Sequence, residues 1–174
     1  MPDRLRSLLI TFVLVGTLLV VGCAATTTTT LDEEVLVNQL PMASYHRLVV
    51  ADFTLQRELF TDRPADRMTS RDRRYAALPQ RLAESMQRYL CSYRIYREVT
   101  RGATTAGPRT LLLTGRFIRV GRFRLSVEGR LLDGATGREV VYFRQTLWDV
   151  LDTTDRIGEL GREIASFIDR IQYR

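Results

Sequence analysis

Thr110 to Trp148, TLLLTGRFIRVGRFRLSVEGRLLDGATGREVVYFRQTLW, is the stretch that decides the fold. In its first part Leu111, Leu113 and Phe117 share one parity, while Thr114 and Arg116 fall on the other. Beyond Gly121-Arg122, the apolar residues Phe123, Leu125, Val127 and Leu131 are interleaved with Arg124, Ser126, Glu128 and Arg130. Successive side chains of a strand point to opposite faces, so this alternation predicts a half-buried antiparallel hairpin. Asp133-Gly134-Ala135-Thr136-Gly137 supplies a tight turn with two glycines, and Arg138 to Trp148 predicts the third strand of a meander. A meander with one apolar face needs a second layer to cover it.

The flanking sequence provides that layer. Downstream, Ile157, Leu160, Ile164, Phe167, Ile168 and Ile171 form one stripe and predict a helix over Thr154 to Gln172. Carboxylates from Asp152 to Asp155 sit at its positive end. Upstream, Pro79 suits a first helical turn, and Leu82, Ala83, Met86 and Leu90 continue that helix to Cys91. Its apolar neighbours make Cys91 a buried structural thiol in this reading. Arg47 to Thr54, RLVVADFT, predicts a central strand, because Val49 and Val50 make both faces apolar. Arg94 to Thr100 is a second strand candidate and Gly102 to Pro108 a connector, whereas Gln56 to Arg74, with Pro64 inside it, predicts a long loop. The order is β-α-β-β-β-β-α. It describes an α+β two-layer sandwich, with two helices on one face of a mostly antiparallel sheet, in a single domain over residues 45–174.

The first 22 residues have a different character. Arg4 and Arg6 precede the apolar run Leu8 to Val21, which is short of the roughly twenty residues that span a bilayer comfortably, and Gly22 ends it. Val20-Val21-Gly22-Cys23 resembles the lipobox of bacterial lipoproteins. The resemblance implies a thioether-linked diacylglycerol on Cys23, cleavage before it, and acylation of the new N-terminus. It also implies sorting to the periplasmic leaflet of the outer membrane, because Ala24 and not Asp follows the cysteine. Ala25 to Thr30 is low in complexity, and residues 23–44 read as a lipidated N-terminus and tether. Cys91 is then the one other thiol, so no intramolecular disulfide is open to the mature chain.

Composition narrows the function. The formal net charge is +6, its positive side carried wholly by arginine without a single lysine, and the basic residues are scattered along the chain rather than gathered in one cluster. Nucleic acid is therefore not an expected partner. His46, the lone histidine, cannot build a multi-ligand zinc site, and no Gly-x-Ser-x-Gly elbow presents a nucleophile to it. Gly134-Ala135-Thr136-Gly137 joins two strands and opens no helix, so it is not a phosphate loop. No enzyme activity, metal or other cofactor is expected. Tyr93, Tyr96, Tyr142 and Phe143 interleave with arginine, as half-buried strands do and as grooves for glycans or anionic polymers also do. Loops held by a rigid scaffold concentrate binding, which makes Arg71, Arg73 and Arg74 the expected partner contacts.

The lipobox, Ala51-Asp52-Phe53 after a strand, Leu78-Pro79 opening a helix, Leu111 to Gly121 (LLLTGRFIRVG) and Leu131 to Gly137 (LLDGATG) together carry a resemblance. The chain is similar to small periplasmic lipoproteins related in fold to the curli-secretion (CsgG) and Pel-polysaccharide export (PelC) lipoproteins. That implies a non-enzymatic accessory of envelope assembly, secretion or polysaccharide export. Its partners would be the membrane through the lipid, other envelope proteins and, in a homo-oligomer, further copies of itself. The architecture also resembles the auxiliary lipoproteins of ABC-type transporters, which would imply a component of a lipid-transport system.

Overall fold

The computed structural model describes residues 29–36, 41–102, 107–148, 150 and 153–173. The signal segment, Cys23, Ala24 and Asp152 lie outside them. Six strands form one sheet: β1 Thr29–Leu36, β2 Arg47–Val50, β3 Glu98–Arg101, β4 Thr110–Val120, β5 Arg124–Asp133 and β6 Glu139–Trp148. Their spatial order is β1-β6-β5-β4-β2-β3. Among the described residues, three α-helices complete the α+β fold: α1 Ser70–Ala76, α2 Leu78–Tyr93 and α3 Thr153–Gln172.

The meander forms as its alternation dictates. β5 pairs antiparallel with both β4 and β6. Leu111, Leu113, Phe117, Leu125, Val127 and Leu131 are all buried. Against them lie Leu82, Met86 and Leu90 of α2 and Ile157, Leu160, Ile164, Phe167, Ile168 and Ile171 of α3, in one core. The two long helices meet closely where Ser85 Oγ donates to the Gly158 carbonyl (3.0 Å). Asp133 holds the β5–β6 turn, with Oδ1 accepting from the backbone N–H of Ala135 (3.0 Å) and Thr136 (2.8 Å). Its Oδ2 accepts from the buried Tyr45 hydroxyl (2.9 Å), and burial followed by that bond pushes the phenol up to about 12.

β2 is central as expected, with parallel pairing to β3 on one side and β4 on the other. It ends at Val50, and the chain returns to β4 at a single bridge between Thr54 and Arg116.

Five local expectations are corrected. Residues 23–44 are not tether throughout: β1 pairs antiparallel with β6, Thr29 opposite Leu147 and Leu36 opposite Val141, and Met42 is buried in the core. An edge strand presents unpaired N–H and C=O groups, and β1 satisfies those along β6. The loop from Gln56 to Arg74 contains most of α1, because Thr69 and Asp72 make a capping box that starts a third helix. Arg94 begins no strand. It adopts a left-handed conformation (φ 57°) that ends α2, and β3 starts at Glu98. Phe123 does not share the buried parity of Leu125. It lies in the β4–β5 turn and is 71% exposed. Cys91 is exposed, since one residue past Leu90 turns the side chain about 100° off the buried stripe.

Candidate functional site

The β4–β5 turn at Gly121, Arg122 and Phe123 gathers several elements at one end of the sheet. Gly121 accepts from Thr153 Oγ1 (3.3 Å), which ties the start of α3 to this turn. The segment before α2 also arrives here, with Phe60 against Tyr75 at 6.1 Å between ring centroids. Between that segment and the turn opens a cleft of about 640 Å³, lined by Phe60, Arg63, Arg71, Tyr75, Val120 and Arg122 among others.

Asp72 organises one wall. Its Oδ2 accepts from the Thr69 backbone N–H (2.9 Å), the Thr69 hydroxyl (2.8 Å) and Arg63 Nη1 (3.2 Å). The Thr69 backbone bond, then its hydroxyl, hold the carboxyl below its ordinary value, with Arg63 adding to the effect. Asp133 is lowered as well, first by the Thr136 backbone N–H and further by Tyr45. A carboxylate with a depressed folded pKa stabilises the fold above its unfolded value and loses that contribution as pH falls through the folded one. Urea midpoints should therefore decline as pH drops below the ordinary aspartate value near 3.8. In Asp72→Asn that acid decline should be shallower than in the wild type.

The structure brings one of the three expected arginines into the cleft. Arg71 lines it, with Nη2 donating to the Tyr75 hydroxyl (3.2 Å) and the guanidinium 5.5 Å from that ring's centroid. Arg73 and Arg74 are exposed on α1 and do not line it. Arg63 and Arg122 join Arg71 in the cleft, and neither is a site residue expected from the sequence, although three arginines flanking Phe123 (Arg119, Arg122, Arg124) are visible there. His46 is half-buried immediately before β2, and Arg47 pairs with Thr110 at the other end of β4 from the cleft.

The four interleaved aromatics do not make a groove. Tyr96 and Phe143 are buried in the core, Tyr93 is on α2, and Tyr142 has the opposite strand parity to Phe143. The polar parity of the meander instead forms a second surface. Arg116 pairs with the buried Glu128, which also accepts from the Tyr142 hydroxyl (3.4 Å), and Arg130 stands 5.9 Å from the Tyr142 ring. Arg144 Nε is buried there, with no hydrogen-bond partner among the described residues. Among the described residues no group of His, Cys, Asp or Glu is placed to hold a metal ion, and no helix is long and apolar enough to cross a membrane.

This layered α+β fold has counterparts among solved structures. No protein-family model matches the chain, and no curated protein matches it. A point variant of the PelC dodecamer from Paraburkholderia phytofirmans is similar with a TM-score of 0.53 and 14% identity, over 81% of this chain and 97% of that one. The PelC dodecamer from the same organism gives 0.53 and 13%, over 84% and 99%. A DUF330 protein from Xanthomonas campestris gives 0.49 and 12%, over 72% and 84%. The fold is thus of the PelC kind, as the sequence resemblance implied.

Proposed function

We propose that the chain is a lipoprotein anchored through Cys23 in the periplasmic leaflet of the outer membrane. It serves there as a non-enzymatic accessory of envelope assembly, secretion or polysaccharide export. The observation that carries this reading is the fold likeness to the PelC dodecamers over nearly their whole length, joined to Val20-Val21-Gly22-Cys23. Those neighbours are assemblies of twelve copies, which supports homo-oligomerisation as part of the role. Acting by contact, the chain meets other copies and other envelope proteins through surfaces such as the arginine-lined cleft.

Site-specific crosslinking in intact cells tests the reading. His46→Ala should leave both the phenotype and the crosslinked products intact. Reversal of Arg71, Arg73 and Arg74 to Glu should lose those products while circular dichroism stays native. Loss of function in His46→Ala with no effect of the triple change would reopen an enzymatic reading.

A further inference from the structure

The register of β1 fixes which end of the domain its N-terminal chain leaves from. Thr29 is opposite Leu147, Leu147 is opposite Leu125, and Leu125 is opposite Val120. The chain therefore enters the sheet at the end that carries the β4–β5 turn, the last residues of β6 and the start of α3. Cys23 precedes Thr29 by six residues. At about 3.3–3.6 Å per residue, that connection reaches roughly 20 Å even when fully extended. β6 has ten residues, and at about 3.3 Å each its two ends are roughly 33 Å apart. A lipid on Cys23 can thus bring the Thr29 end of the sheet to a bilayer, but the connection is too short to run back past the Asp133–Arg138 turn.

The same end has the surface chemistry of a membrane contact. Phe123 is 71% exposed and Trp148 40% exposed. Arg119, Arg122 and Arg124 flank Phe123, and no carboxylate occurs between Phe117 and Val127. Arg124 stands 4.7 Å from the Trp148 ring, so a cation and an indole sit together at the rim. Indole and phenyl rings partition to the headgroup level of a bilayer, and arginine attracts anionic headgroups while its stem covers apolar surface. Of the exposed carboxylates described near this end, Asp155 lies in the first turn of α3, and Glu58 and Asp62 line the cleft beside Arg122, off the Phe123–Trp148 rim.

We infer that the Phe123–Trp148 end of the sheet is a docking face for an anionic lipid surface, which seats the domain in one orientation on its membrane. The inference rests on the anchoring proposed above and adds the face and the residues that meet the lipid. Phe123 and Trp148 enter the interface, and Arg119, Arg122 and Arg124 hold headgroup phosphates around them.

Trp148 is the single tryptophan, so its fluorescence reports this face directly. The full lipidated protein, with the Cys23 modification verified by mass, is placed in vesicles of phosphatidylethanolamine and phosphatidylglycerol with brominated acyl chains. Trp148 emission should shift to the blue and lose intensity, more to bromines near the headgroups than to those at the bilayer centre. The double variant Phe123→Ser, Arg122→Glu should recover much of that intensity while keeping native circular dichroism, because both side chains are exposed. Unquenched Trp148 in verified lipidated protein overturns the inference and leaves the anchor standing. Emission that tracks protein concentration and not bromine would give the face to a second copy, and also overturns it. Quenching of a chain that proves to carry no lipid on Cys23 would remove the anchor and support the face.

Discussion

Phe143→Ala is expected to lower the stability of the fold by about 3–5 kcal/mol, read as a shift in urea midpoint with unchanged slope. The ring is fully buried and packs on Phe167 at 5.2 Å between centroids. It lies over Gly129, where any added Cβ would meet it, and Gly129 pairs directly with Gly115, itself covered by Phe53. Two facing glycines make a dent that two phenyl rings fill. Removing a ring leaves a cavity whose floor has no side chain to relax into it. Gly129→Val should fail in the opposite sense, through overpacking, at the upper end of about 1–3 kcal/mol. Leu125→Ala and Ile164→Ala should each cost about 2–5 kcal/mol, because both are fully buried on facing layers. Near-neutral effects at all of these positions would mean that the meander and α3 do not share one core.

Most of this core was legible because it follows from period alone. The parity of Leu125, Val127 and Leu131 and the stripe from Ile157 to Ile171 each bury as read. Position 123 departs because parity holds only inside the ladder. The turn ends the ladder at Val120 and resumes it at Arg124, which leaves Phe123 outside. β1 carries little sequence signal because an edge strand is held by backbone bonds to its neighbour, and its sequence TTLDEEVL shows no strict alternation of apolar residues. α1 was hidden by its arginines, yet Thr69 three residues before Asp72 was a start signal that could have exposed it.

The cleft was less legible than the core. Arg71 lies in a loop-rich stretch that the sequence marks for binding, but Arg63 and Arg122 come from segments nearly sixty residues apart. Their meeting depends on how the Thr54 bridge leads the chain back along β4. A sequence without alignment offers no local signal for such a juxtaposition. The register that sets Thr29 against Leu147 is equally a property of the folded sheet, and the docking face proposed above depends on it.

Replacing Cys23 by Ser should change the protein's location. A buried acyl methylene contributes about 0.8 kcal/mol, so a chain that carries two or more acyl groups stays in the membrane through carbonate extraction. The Ser variant should incorporate no labelled fatty acid and retain its signal segment. Cys91, although exposed, should not take up the label in its place, because no lipobox precedes it.

The most direct measurement is the mass of the N-terminal peptide of protein recovered from the envelope. A chain anchored through Cys23 should yield a peptide that begins at Cys23 and carries a diacylglyceryl thioether together with an acylated amine. A peptide that still begins at Met1, or one in which Cys23 is a free thiol, would contradict that anchoring.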